Sequence, residues 1–154
     1  MKSIFFACLL LVSNLASAQL LKVGVAGLSH DHANSIMQQY KKGEVILLGI
    51  AEADQNLIAR YKKNFQVPDS LFYKDVASML HKTKPDAVLA YNAISEHIDV
   101  VEACAPKGIS VMVEKPLATT NADAERMKML ADKHKIHLLT ILYNCWLLAY
   151  QVVS

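Results

Sequence analysis

Three uncharged, mostly apolar runs, Val45–Ala51 (VILLGIA), Ala87–Tyr91 (AVLAY) and Ile109–Val113 (ISVMV), restrict this chain to a small set of folds. A strand with one face in water alternates apolar and polar residues; a run with no such alternation needs both faces covered. Between and around these runs lie segments with helical spacing: about Asp31–Lys41, Asp54–Asn64, Asp75–His81, Ser95–Ala105 and Asn121–His134. Shorter β-rich runs, Leu21–Ala26, Leu71–Tyr73 and Ile136–Thr140, complete the alternation. Asp54 and Thr120 stand where helix N-caps are wanted, Asp123 is spaced to reach back to Thr120, and Pro106-Lys107-Gly108 reads as a helix stop. Buried strands alternating with helices give an α/β fold, a doubly wound parallel sheet covered on both faces. Ligands of such sheets bind at the carboxyl ends of the strands, near the point where strand order reverses, so chemistry should be sought just after each strand.

Composition sets the frame. The chain has 154 residues, 53% hydrophobic and 19% charged, enough for one compact core. A formal net charge of +2, with no Lys/Arg cluster interleaved with aromatics, argues against a nucleic-acid partner. The first 18 residues read as a secretory signal: Lys2, then the apolar Ile4–Val12, then Ala16-Ser17-Ala18 as a small-x-small cleavage site. The mature chain is then expected to start at Gln19, exported to the periplasm or medium, with no membrane attachment after cleavage. The domain is expected to span 19–140. The remainder, 141–154 (ILYNCWLLAYQVVS), carries no charge and changes character abruptly. It is too short for a membrane span, and an exposed Trp146-Leu147-Leu148 patch there would favour self-association into a homo-oligomer. Cys8 falls within the signal, leaving Cys104 and Cys145, either as one disulfide or, in the apolar helical setting of Cys104, as a buried free thiol.

The first strand runs into Gly27-Leu28-Ser29-His30-Asp31-His32. A dinucleotide fold needs a tight turn here, with backbone N–H groups and a helix start facing the pyrophosphate. Gly27 fills the first glycine position of G-x-G-x-x-G, while Ser29 and His32 stand in the second and third, so the fingerprint is eroded. The second strand ends in Glu52, where an acid can accept from a ribose 2′-OH and would repel a 2′-phosphate. The cofactor preference therefore tilts to NAD, with NADP disfavoured; the alternative is an exposed loop acid. His30-Asp31-His32 also invites a metal reading. No third ligand is near in sequence and a helix N-terminus disfavours a cation. The expectation is no metal, with Asp31 capping the helix, the histidines packing the loop, or His30 meeting a cofactor phosphate.

The fifth long strand ends in Glu114-Lys115-Pro116-Leu117-Ala118. Together with Asp86–Asn92, His97 and Lys107-Gly108 at matching spacing, this resembles the glucose–fructose oxidoreductase and inositol dehydrogenase family (Gfo/Idh/MocA), over about Leu21–Thr140. The resemblance implies a Rossmann-type NAD(P)-binding domain of an oxidoreductase acting on a sugar, polyol or related compound. It implies that Gly27 and Ser29 line the pyrophosphate and Glu52 holds the adenosine ribose. Asn92, in place of a usual threonine, and His97 would border the nicotinamide. Glu114 would contact the cofactor or support Lys115. Lys115 would reach the substrate hydroxyl and the nicotinamide, and with His97 becomes a catalytic candidate: an ammonium beside a developing alkoxide stabilises charge, and a lysine there can relay a proton. The family's second α/β domain has no counterpart after Thr140, so a truncated or frame-shifted end is expected. The second reading is a non-catalytic nucleotide-binding remnant or an exported interaction module.

Overall fold

The computed structural model describes residues 19–141. The expected signal segment, Cys145 and the Trp146-Leu147-Leu148 patch lie outside them. Six strands, β1 (Lys22–Ala26), β2 (Ile46–Ala51), β3 (Phe72–Tyr73), β4 (Ala87–Ala90), β5 (Ser110–Val113) and β6 (Leu138–Thr140), form one sheet. Five helices alternate with them: α1 (Ala33–Lys42), α2 (Gln55–Phe65), α3 (Val76–Lys82), α4 (His97–Cys104) and α5 (Asn121–His134). The strand order is β3-β2-β1-β4-β5-β6, and every pairing is parallel. The chain builds outward from β1 to β3, then returns to lay β4 on the other side of β1, which opens the crevice expected of a doubly wound sheet.

The apolar runs are explained by two cores, one on each face. Val88, Ala90, Val111 and Val113 point into a cluster with Met79 of α3, Val101 and Cys104 of α4 and Met127 of α5. Val23, Val25, Leu89 and Ile50 point the other way, onto Ile36 and Met37 of α1 and Tyr61 of α2. Successive strand residues thus enter opposite cores, which is why no polar alternation survives in the sequence.

The caps follow the sequence with one exception. The Asp54 carboxylate accepts from the Asn56 and Leu57 amides, and Thr120 Oγ1 accepts from the Asp123 amide while donating to Asp123 Oδ2. Gly108 stops the α4 segment at φ 70°. Asp31, by contrast, does not cap α1. The helix starts two residues later than expected, and residues 30–32 are consumed in a tight turn whose carbonyls accept from the Ala33, Asn34 and Ser35 amides. His30 Nδ1 accepts from the amide of His32, the N-cap residue, at 3.3 Å, and α1 has no side-chain cap of its own.

Cys104 is a buried free thiol, and burial pushes its pKa up to about 12, so the reactive thiolate is suppressed. Among the described residues no helix is long and apolar enough to cross a membrane.

Helix α3 packs unusually close to the sheet. A Cβ on Gly49 of β2 would stand 2.7 Å from the Tyr73 ring and 2.9 Å from Met79 Cγ. Met79 fills that space and is fully buried. Met79→Ala should therefore lower unfolding stability by about 2–5 kcal/mol, the range for emptying a buried methionine site. Urea denaturation followed by circular dichroism checks this; a loss under about 1 kcal/mol would show that α3 simply settles onto the sheet.

Candidate functional site

Gly27, at the end of β1, has φ +77° and lies against the end of β4. A Cβ there would meet Asn92 Cβ at 2.5 Å, Asn92 Cα at 2.6 Å and Asn92 N at 2.8 Å. Backbone cannot yield as a side-chain tip can, so only glycine fits. The loop that follows is tied to its surroundings at four points. The Gly27 amide donates to the Ala51 carbonyl at 2.8 Å, and the Leu28 amide donates to Glu52 Oε2 at 2.8 Å. Ser29 Oγ and the His30 amide both donate to the Tyr91 carbonyl, at 3.0 and 3.1 Å. Leu28 is buried and anchors the turn, while Ser29 is exposed. Among the described residues the Ser29 and Asp31 amides have no protein acceptor, leaving two donors at the loop for an anion.

Glu52, at the end of β2, is engaged locally. Its Oε1 accepts from the Ala53 and Asp54 amides, both at 2.9 Å, and its Oε2 accepts from Leu28. A carboxylate offers about four lone-pair positions, so one remains on Oε2 for a hydroxyl. The acid thereby braces the glycine loop from the neighbouring strand, a role the sequence pattern did not indicate.

Glu114 ends β5 with its side chain 1% exposed. A carboxylate so buried is costly without compensating donors. His32 Nδ1 donates to Glu114 Oε1 at 2.6 Å, and the Lys115 amide donates to Oε2 at 3.3 Å. Glu114 thus joins the glycine loop to the Glu-Lys-Pro loop across 82 residues of sequence. It supports the backbone of Lys115, whose side chain is exposed, and the following Lys115–Pro116 bond is cis. His30 Nδ1 also lies 3.6 Å from Glu114 Oε1. The third ligand that the His-x-His spacing lacked is therefore present: His30, His32 and Glu114 each offer a ligand atom within 4.8 Å of the others. This removes one of the two grounds on which metal was set aside from the sequence, the missing third ligand. No local signal could have found it, because the partner comes from another strand end.

Asn92 and His97 complete the wall after β4. Asn92 Oδ1 is buried and has no protein partner, an acceptor left for an incoming donor. His97 is fully buried at the start of α4. A carbonyl only accepts, so His97 Nδ1 carries the proton it gives to the Leu117 carbonyl at 3.1 Å, and Nε2 is left as a buried acceptor with no partner. The structure brings Gly27, Ser29, His30, Asn92 and Glu114 to one end of the sheet, with Glu52 beside them on the adjacent strand. It puts His97 beneath the loop that carries Lys115.

Burial lowers the His97 pKa below the usual imidazole value, against smaller opposing effects from the Leu117 carbonyl, Glu114 and Glu96. The unfolded chain then takes up a proton near pH 6.5 while the folded chain does not. Stability contributed by neutral His97 is therefore present above the unfolded value and lost as pH falls towards the folded value. Between pH 7.5 and 5.5 the wild type should lose more stability than His97→Asn, whose amide can still donate to Leu117. Urea midpoints at the two pH values measure this, and equal losses in both proteins would contradict it.

Comparison with known proteins agrees with this geometry. Residues 21–141 match the family model described as "Oxidoreductase family, NAD-binding Rossmann fold", Gfo/Idh/MocA. The chain is 28% identical over 123 residues to the myo-inositol 2-dehydrogenase of Thermotoga maritima, a match that covers 78% of this chain and 35% of that protein. A probable dehydrogenase structure from the same organism superposes with a TM-score of 0.64 at 28% identity, over 78% of this chain and 35% of the other. The WlbA dehydrogenase of Bordetella pertussis, solved with NADH and UDP-GlcNAcA, superposes with a TM-score of 0.70 at 20% identity. That match covers 88% of this chain and 41% of the other, and shows likeness of fold alone. The chain thus spans little more than a third of the length of these relatives. With the model matched from β1 through β6, the chain belongs to the Gfo/Idh/MocA oxidoreductase family and comprises its NAD-binding Rossmann domain.

Proposed function

We propose that this chain is the nicotinamide-dinucleotide-binding part of an exported oxidoreductase that acts on a sugar, polyol or related alcohol. The observation that carries this reading is the convergence of the Gly27 turn, the Glu52 carboxylate and the Glu114-Lys115-Pro116 loop on one end of the sheet. The fit to a dinucleotide is specific. The Gly27 cradle leaves no room for a Cβ, so backbone lies open where a pyrophosphate needs close approach. The Ser29 and Asp31 amides are donors for its oxygens, Glu52 Oε2 keeps one position for a ribose hydroxyl, and the Asn92 Oδ1 atom awaits a donor. NAD bound here would supply the hydride acceptor or donor. An acid at the end of β2 repels a 2′-phosphate, which favours NAD over NADP.

The chain's own residues then divide the work. Lys115 is exposed on a loop whose backbone is fixed by Glu114, so its ammonium can stand beside a substrate hydroxyl and stabilise the charge that develops there, or take part in moving its proton. Glu114 and His32 hold the glycine loop and the lysine loop at a fixed separation. His97, through Leu117, fixes the far side of the lysine loop. The myo-inositol 2-dehydrogenase relative supports a polyol or sugar as substrate class. The charged start, apolar core and Ala16-Ser17-Ala18 site support export.

Titration of the chain with NADH, followed by nicotinamide fluorescence, should show saturable binding. Glu52→Ala should weaken NADH binding by about tenfold, the scale of one hydrogen bond to a charged group, and should narrow the gap between NADH and NADPH. No binding at millimolar NADH would sink the cofactor reading. Lys115→Ala should weaken NADH binding less than Glu52→Ala does, since its main work is proposed to be on the substrate hydroxyl. For export, N-terminal sequencing of the chain produced in a secreting bacterium should begin at Gln19; an intact Met1 in the exported fraction would contradict cleavage.

A further inference from the structure

We propose that His30, His32 and Glu114 form a binding site for one divalent first-row transition-metal ion, with zinc the best match to the ligands. Each residue offers a ligand atom, and these atoms lie within 4.8 Å of one another. The two imidazoles come from the turn after β1 and the carboxylate from the end of β5, so the sheet itself brings them together. Two histidines and one carboxylate suit a borderline ion such as zinc, whereas magnesium and calcium prefer oxygen ligands throughout.

The arrangement favours a cation at this point. Glu114 is almost wholly enclosed and carries a negative charge that must be met locally. The α1 N-terminus opposes a cation, and the enclosed negative charge of Glu114 offsets that field. His30 Nδ1 lies 3.6 Å from Glu114 Oε1, and its single lone pair, which accepts from the His32 amide at 3.3 Å, must exchange that long contact for the ion. A tetrahedral ion with bonds of about 2.0–2.2 Å holds its ligand atoms about 3.3 Å apart, so His32 Nδ1 and Glu114 Oε1, now 2.6 Å apart, must separate while His30 closes from 3.6 Å. Rotation of the partly exposed His30 and His32 supplies both shifts, while the enclosed Glu114 stays in place. In the metal-free chain the His32 Nδ1 proton fills the same role, donating to Glu114 Oε1. Metal binding at His32 Nδ1 exchanges that proton for the ion. Three protein ligands leave at least one coordination position open, which lies at the strand-end crevice and can take water or a substrate oxygen.

The test uses the tag-free full chain, stripped with chelator and titrated with Co²⁺ and then Zn²⁺, with no nucleotide present. Wild type should bind one Co²⁺ per chain, with visible absorption bands of a low-coordinate cobalt centre that Zn²⁺ displaces and Mg²⁺ does not. His30→Ala, His32→Asn and Glu114→Gln should each weaken binding by at least about tenfold. His30 is the most exposed of the three, so His30→Ala keeps the test decisive if the buried Glu114 variant fails to fold. Wild type that binds no Co²⁺ stoichiometrically, or a folded His30→Ala that binds as tightly as wild type, overturns the proposal. NADH titration is a separate measurement, so failure here leaves the cofactor reading standing.

Discussion

The contact between Gly27 and Asn92 is the constraint on which the site depends. β1 and β4 are neighbours in the sheet, and each must turn away at its carboxyl end without colliding with the other. The absence of a side chain at Gly27 lets the first turn lie directly against the backbone of the second. Ser29 Oγ and the His30 amide can then both reach the Tyr91 carbonyl, and His30 and His32 are delivered to the edge of β5. Any larger residue would lift the loop, and the loss would extend to every group that the loop carries.

A second connection rests on this one. In a complete glycine fingerprint the third position is small so that helix and sheet can pack closely. Here His32 stands in that position and is put to use, its ring donating to the enclosed Glu114. The two loops that flank the crevice are therefore joined by a charged hydrogen bond in low-dielectric surroundings, where such bonds are strongest. The histidine in the fingerprint's third position and the glutamate of Glu-Lys-Pro are thus two ends of one contact.

The sheet, its strand boundaries to within two residues, and most caps could be read from the sequence, because buried runs, Asp54, Thr120 and Gly108 act locally. Gly27, Glu52, Asn92 and Glu114 could be placed for the same reason, as each directly follows a strand. What escaped reading depends on distant partners. Asp31 looked like a cap, yet the turn at residues 30–32 moved the helix start past it. Glu52 read as a ribose ligand but also braces Leu28. His97 read as a catalytic candidate bordering the nicotinamide, and its enclosure and its bond to a carbonyl 20 residues away were not legible. The His30–His32–Glu114 grouping depends on β1 and β5 flanking β4, which no spacing within a single segment can report.

The position of β1 bears on how the chain reaches this state. As the first strand made and one of the two central ones, it pairs on one side with β2 and on the other with β4, which begins 65 residues after it. Until Ala87–Ala90 are available, β1 has one open edge and both cores lack a wall. Closing that loop carries an entropic cost that only the β1–β4 contacts repay. The first half of the chain therefore cannot complete either core by itself: each needs strands from the second.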